Sequence, residues 1–177
     1  FQPMRDAYDV VVIGGGPAGS TAASLVAQAG HSTLLVEREK FPRFHVGESL
    51  MPECYWSLER LGLLERMKAS KFTRKKSVQF VTASGKESEP FYFTEHDPRE
   101  SSTTWQVERA DFDQMLFDRA SELGADCFDQ TRVLDVLLDD DGAARGVKLR
   151  TVDGQTREIS AKVVMDDVYR LEAKYSR

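Results

Sequence analysis

YDVVVIGGGPAGS, Tyr8 to Ser20, is the stretch that decides the fold. Val10 to Ile13 is a continuous β-branched run, the pattern of a strand buried on both faces, as in a parallel sheet. The glycines end that strand, and Thr21 to Ala29 supplies small helix-forming residues before Gly30 stops the helix. HSTLLVE, His31 to Glu37, reads as a second buried strand. Strand, turn, helix and strand within about thirty residues make one βαβ unit.

The turn carries chemistry. In Gly14-x-Gly16-x-x-Gly19 the first glycine permits the tight turn, and the second lets the backbone approach a pyrophosphate. The third packs helix against strand, and the helix N-terminus offers N–H groups and a positive dipole end to phosphate. Glu37 ends the second strand at the distance where a carboxylate accepts hydrogen bonds from ribose hydroxyls and repels a 2′-phosphate. An adenosine cofactor of the FAD or NAD kind is therefore expected over NADP. The motif alone leaves FAD and NAD both open, and a purely structural glycine turn with a surface Glu is the plain alternative.

Working outward, Arg38 to Leu50 has Pro, Gly and mixed charge without a period, and is expected to be a loop. Pro52 to Met67 predicts one amphipathic helix with Leu58, Leu61, Leu64 and Met67 on its stripe. Ser77 to Ala83, Pro90 to Thr94 and Thr104 to Val107 are candidate strands, the last leading into a helix from Asp111 to Leu123. From Thr131 the chain reads as an antiparallel meander, with turns at the Asp139–Gly142 and Val152–Gln155 segments where Asp-Gly pairs stand between alternating residues. The expected class is α/β: a Rossmann-like domain with a parallel sheet and an inserted β-meander.

Bulk properties narrow the function. The chain has 177 residues, 41% of them hydrophobic and 30% charged, close to a globular average. With 24 Lys and Arg against 29 Asp and Glu, the net charge is −5, which argues against nucleic-acid binding through phosphate neutralisation. The apolar run Val10 to Gly16 is too short to span a bilayer, and no signal-peptide pattern is present, so a cytoplasmic protein is expected. Cys54 and Cys127 lack metal-ligand spacing and are expected to be reduced, buried small hydrophobes. His31, His45 and His96 are scattered without ligand partners, and no metal site is expected. Trp56 and Trp105 are expected to pack.

WQVERADFDQMLFDRA, Trp105 to Ala120, resembles the second flavin-contacting segment of the FAD-dependent aromatic hydroxylase (monooxygenase) superfamily. Within it, FPRFHVGESLMPECYWSLERLGLLERM, Phe41 to Met67, is similar to flavin-dependent halogenases, including the tryptophan-halogenase-like enzymes, and to their geranylgeranyl-reductase-like relatives. The resemblance runs from about Asp9 to Asp166. It implies that Gly14, Gly16, Ala18 and Gly19 hold the FAD pyrophosphate, that Glu37 holds the ribose, and that Arg38 lies beside the adenine end. It further implies that Gly47, Glu48 and Ser49 form the loop approaching the flavin, that Arg109 reaches the FAD phosphate or ribose region, and that Val133 meets the adenine through its backbone. Arg109 pairing with Asp113 on its own helix, and Glu48 as an exposed loop charge, are the alternatives.

KFTRKKSVQF, Lys71 to Phe80, resembles the stretch where halogenases keep a lysine that handles hypohalous acid, which makes Lys75 the candidate catalytic residue. A lysine shielded from water acts as nucleophile or hydrogen-bond donor. Ser77 replaces the usual glycine, and Arg74, Lys75 and Lys76 also read as a solvated basic patch. The implied activity is that of an FAD-dependent oxidoreductase whose reduced flavin reacts with O2 to a C4a-hydroperoxide. It would hydroxylate or halogenate an aromatic or unsaturated small molecule, with a separate flavin reductase as partner. The alternatives are a geranylgeranyl-reductase-like enzyme and a non-catalytic nucleotide-binding fragment. Family members follow the strand Val163 to Asp166 with a glycine-containing turn, a later Gly-Asp segment that wraps the flavin, a W-x-W-x-I-P motif and a substrate sheet. Asp167, Val168 and Tyr169 depart from that pattern, so residues 1–177 are expected to be an incomplete FAD-binding domain.

Overall fold

A computed structural model describes residues 3–166. The reading of Asp167 to Tyr169 lies outside those residues. The chain opens with β1 (Ala7–Ile13), α1 (Pro17–Gln28) and β2 (Thr33–Val36), followed by α2 (Cys54–Arg60) and α3 (Leu64–Ala69). Next come β3 (Thr73–Lys75), β4 (Ser77–Val78), β5 (Phe91–Tyr92), α4 (Phe93–His96) and β6 (Thr104–Gln106). Then follow α5 (Arg109–Glu122), β7 (Asp126–Phe128), β8 (Arg132–Leu138), β9 (Ala144–Arg150) and β10 (Thr156–Asp166). Among the described residues these elements form two compact units, residues 3–44 with 110–166, and residues 45–109.

The first unit is built on a six-stranded sheet in the order β7-β2-β1-β10-β9-β8. β1 pairs parallel with β2 and with β10, and β2 pairs parallel with β7. β10 is long enough to serve two ladders: Thr156 to Ser160 run antiparallel to β9, and Ser160 to Asp166 run parallel to β1. The β-branched run is covered on both faces, as its composition requires. Val11, Ile13, Leu34 and Val36 pack with Val147, Leu149 and Ile159 of the meander. Val10, Val12 and Leu35 pack with Ala23 of α1 and with Phe117 and Ala120 of α5. Each such aliphatic side chain contributes roughly 1.5–3 kcal/mol on burial.

Helix α1 buries Gly19, Ser20, Ala23 and Ser24, all small, so its axis approaches the sheet closely. The meander turns behave as the Asp-Gly pairs predict, with Gly142 and Gly154 at φ +82° and +83°. Strand β7 was not anticipated: with three residues, it is too short to show a period, and its place against β2 is a long-range pairing.

The structure corrects several other expectations, most of them in the second unit. Pro52 to Met67 does not form one helix, because Gly62 takes φ +68° and divides it into α2 and α3. The break moves Leu63 into the core, fully buried beside Leu58, Leu61 and Met67, and leaves Leu64 half-buried. Ser77 to Ala83 is a strand only at Ser77–Val78, paired with Phe91–Tyr92, and Phe93 turns directly into α4. Trp105 is buried at 1% exposure, but Trp56 is 51% exposed and does not pack as expected. Cys54 and Cys127 are free thiols, each half-buried rather than fully buried. No helix among the described residues is long and apolar enough to cross a membrane.

Candidate functional site

Gly14 follows β1 with φ +104°, a conformation that side chains disfavour, and its N–H donates to the Val36 carbonyl at 2.9 Å. Gly16 is the extended N-cap of α1, with Pro17 opening the helix. Gly16 supplies no side-chain cap, and no acidic residue stands in the first turn of α1. Ala18 is exposed on that turn. A Cβ on Gly19 would lie 1.9 Å from the Gly14 carbonyl oxygen, so only glycine lets the helix begin here. Gly15, an x in the motif, is also tightly placed: a Cβ there would lie 3.0 Å from Glu37 Cβ and from Phe117 Cδ2, so those side chains would have to give way by a few tenths of an ångström. A glycine-lined turn leading into a helix whose N-cap carries no side chain fits a pyrophosphate.

Glu37 is 6% exposed. Its Oε2 accepts the Gly15 N–H at 2.9 Å and Arg43 Nη2 at 3.1 Å, and its Oε1 accepts the Glu39 N–H at 2.9 Å. Burial pushes the carboxyl pKa up, but the Glu39 and Gly15 N–H groups and Arg43 outweigh it and hold the pKa below the ordinary value. Arg43 also donates through Nη1 to Asp113 Oδ2 at 2.8 Å, and its guanidinium lies 4.9 Å from the centre of the Phe41 ring. Gly15 and Arg43 have no place in the sequence reading, and Asp113 figures there only as a partner for Arg109, not for Arg43. The available signal was Asp113 itself, a carboxylate at helical spacing from the buried Leu116, Phe117 and Ala120.

Arg38 is exposed and pairs with the neighbouring Glu39 at 3.4 Å. Val133 lies on β8, an edge strand, where backbone groups on one side are free of the ladder. The chain just before it is tied to the end of β2. The Thr131 N–H donates to the Glu37 carbonyl at 2.8 Å, and the Glu37 N–H donates to the Phe128 carbonyl at 2.9 Å. The structure therefore gathers Gly14 to Gly19, Glu37, Arg38 and the start of β8 in the first unit.

The second unit holds the other predicted residues. Gly47 has φ +105°, and Glu48 and Ser49 are exposed. Their loop is anchored on β6: the Val107 N–H donates to the Glu48 carbonyl at 2.8 Å, and Ser49 bridges Gln106. Arg109 Nη1 donates to the Val46 carbonyl at 2.9 Å, next to Gly47, where a Cβ would come within 3.3 Å of it. Lys75, half-buried, donates through Nζ to the Leu50 carbonyl at 3.2 Å and lies 5.5 Å from the centre of the Phe93 ring. Phe93 is in turn part of the lining of a cavity of about 290 Å³, together with Met51, Trp56, Phe91, Arg99 and Ser102. Exposed Trp56 is thus a cavity wall, and Lys75 is more buried than its exposed neighbours Arg74, whose guanidinium lies 4.7 Å from the centre of the Trp105 ring, and Lys76.

The chain matches the model of the FAD binding domain family over residues 7–165. A 1H-pyrrole-2-carbonyl-(peptidyl-carrier protein) brominase of Pseudoalteromonas luteoviolacea is 38% identical over 159 residues, 90% of this chain and 37% of that protein. The structure of a myxobacterial chondrochloren halogenase superposes with a TM-score of 0.84 at 39% identity, covering 92% of this chain and 37% of that one. A geranylgeranyl bacteriochlorophyll reductase-like protein of Thermoplasma acidophilum superposes with a TM-score of 0.71 at 28% identity, over 91% of this chain and 39% of that one. The chain spans about a third of the length of the curated relatives it matches. A likeness that runs from β1 to the last residues of β10 is a likeness of the nucleotide-binding fold itself, and the chain belongs to the FAD binding domain family, with FAD as its cofactor.

Proposed function

We propose that this chain is the FAD-holding part of a flavin-dependent halogenase acting on an electron-rich aromatic small molecule, with a separate flavin reductase supplying electrons. The observation that carries the reading is its 38–39% identity to a pyrrole brominase and a chondrochloren halogenase, against 28% to the reductase-like protein of the same fold. Gly14, Gly16, Ala18 and Gly19 receive the pyrophosphate at the N-terminus of α1, Glu37 receives the ribose, and Arg38 and Val133 flank the adenine. Gly47, Glu48 and Ser49 face the flavin, and Arg109 steadies their loop through the Val46 carbonyl. Reduced FAD supplies the electrons that activate O2.

Lys75 then has a defined task. Its ammonium is held by one carbonyl and one aromatic face, both uncharged, so no carboxylate neutralises it in the contacts seen. Such a cation donates a hydrogen bond to the oxygen of a hypohalous acid and so holds its electrophilic halogen toward a ring in the Phe91–Phe93–Trp56 cavity.

The test uses the full-length protein with FAD, a flavin reductase, bromide and an activated phenol or pyrrole. Lys75→Met should retain the visible flavin band after desalting and lose brominated product by mass spectrometry. Bromination that survives in Lys75→Met removes Lys75 from the chemistry. A hydroxylated product without halide incorporation would make the protein a monooxygenase, and reduction of an isoprenoid double bond would make it a reductase of the geranylgeranyl kind.

A further inference from the structure

Arginine is seldom buried, and a buried ion pair is often matched or bettered by apolar side chains of the same volume. Arg43 is nevertheless 8% exposed, and its Nε is buried without a hydrogen-bond partner. Packing gives no reason for that arrangement. The two occupied ends of the guanidinium do: one meets Glu37 and the other meets Asp113, 70 residues away, which is completely buried. The guanidinium fork is rigid, so two anchored ends fix the plane of the group and with it the carboxylate it holds.

The consequence is legible by counting acceptor sites. A carboxylate offers about four lone-pair positions. On Glu37 the two at Oε2 are taken by the Gly15 N–H and by Arg43, and one at Oε1 is taken by the Glu39 N–H. A single position remains, on Oε1. We propose that Arg43 is a positioning residue for the adenosine ribose of FAD: anchored on Asp113, it turns the Glu37 carboxylate so that Oε1 accepts one ribose hydroxyl and no more. The inference rests on the assignment of Glu37 to the ribose made above. It sharpens the pairing of both hydroxyls expected from the motif, and gives Asp113 and the buried face of α5 a part in cofactor recognition.

The purified chain is titrated by calorimetry with ADP, 2′-deoxy-ADP and 3′-deoxy-ADP. One deoxy analogue should bind roughly 10- to 100-fold more weakly than ADP, the loss of one hydrogen bond to a charged acceptor, and the other should bind like ADP. Equal weakening by both, or by neither, overturns the proposal. Failure of both ADP and FAD to bind overturns the underlying assignment of the site instead, so the two failures are told apart. Arg43→Lys keeps the charge but cannot span both carboxylates. With its thermal melt still cooperative, it should bind ADP about 10-fold more weakly and lose the difference between the two deoxy analogues. Asp113→Asn should behave alike. Retained hydroxyl selectivity in both variants would mean that Glu37 is oriented without Arg43. These comparisons respond to orientation and not to stability, and the wild-type titration stands even if a variant fails to fold.

Discussion

Glu37 Oε2 accepts the N–H of Gly15 at 2.9 Å across 22 residues of sequence. The acid that ends β2 and the turn that ends β1 are therefore one hydrogen-bonded unit. Parallel pairing sets their distance, since Ile13 lies opposite Val36 in the β1–β2 ladder. The carboxylate is preorganised before any nucleotide arrives, and what it offers a ligand depends on which of its acceptor positions the protein has used.

That unit has its own pH dependence. The Glu37 carboxyl is held below its ordinary value of 4.5, so the stability it contributes is present above the unfolded value and is lost as pH falls through the folded one. Glu37→Gln should lower unfolding free energy at pH 7 by about 3 kcal/mol, because it leaves a buried guanidinium facing an amide. In urea denaturation the gap between wild type and variant should close as pH falls from 4.5 through the lower folded value.

Gly19→Ala places a methyl 1.9 Å from the Gly14 carbonyl oxygen, a backbone atom that cannot yield without moving the turn. Urea denaturation should show a loss of about 2–3 kcal/mol, and flavin should no longer be retained on desalting. Gly146→Ala is the matched control. Its methyl would lie 2.2 Å from the Ile159 carbonyl oxygen between β9 and β10, so it should destabilise comparably while any folded fraction still holds FAD.

Tyr8 donates through its hydroxyl to Asp126 Oδ2 at 2.8 Å and accepts the Arg5 N–H at 3.0 Å. Burial, with Asp126 adding to it, pushes the phenol pKa up to about 12. A raised pKa favours the folded state below the unfolded value of 10.0, and the benefit is lost as pH climbs toward 12. Tyr8→Phe should therefore cost about 1–2 kcal/mol at pH 8, and wild type should lose that advantage above about pH 10.

Burial also pushes the Cys127 thiol up to about 12. In a Cys54→Ser chain the remaining thiol should react negligibly with a disulfide reagent at pH 8 and fully once urea is added, since the thiolate is the reactive form. Prompt reaction of the folded chain would place Cys127 in a polar, accessible setting.

Much of the fold is local and was therefore readable. The β-branched run Val10 to Ile13, the glycines after it and the Asp-Gly turns each act through the conformational preferences of a few adjacent residues. Periodicity failed where one residue overrode it. Gly62 broke the helix that Leu58, Leu61 and Met67 imply, and the break brought Leu63 inward instead of Leu64. Ser77 to Ala83 has the composition of a strand but only two residues that find a partner, because a strand exists only where another strand meets it.

The cofactor site divides in the same way. Gly14, Gly16, Gly19 and Glu37 stand out in the sequence because phosphate and ribose binding need those residue types at a spacing that one βαβ unit sets. Arg43 and Asp113 carry no such signature. They lie 70 residues apart, and α5 brings them together only when its apolar face closes on the sheet. The sequence by itself determined which backbone cradles the nucleotide, since glycine conformations and strand length are short-range properties. Only the tertiary structure decided how the Glu37 carboxylate is turned, because that orientation is set by a buried charge network assembled through burial of apolar surface from distant parts of the chain.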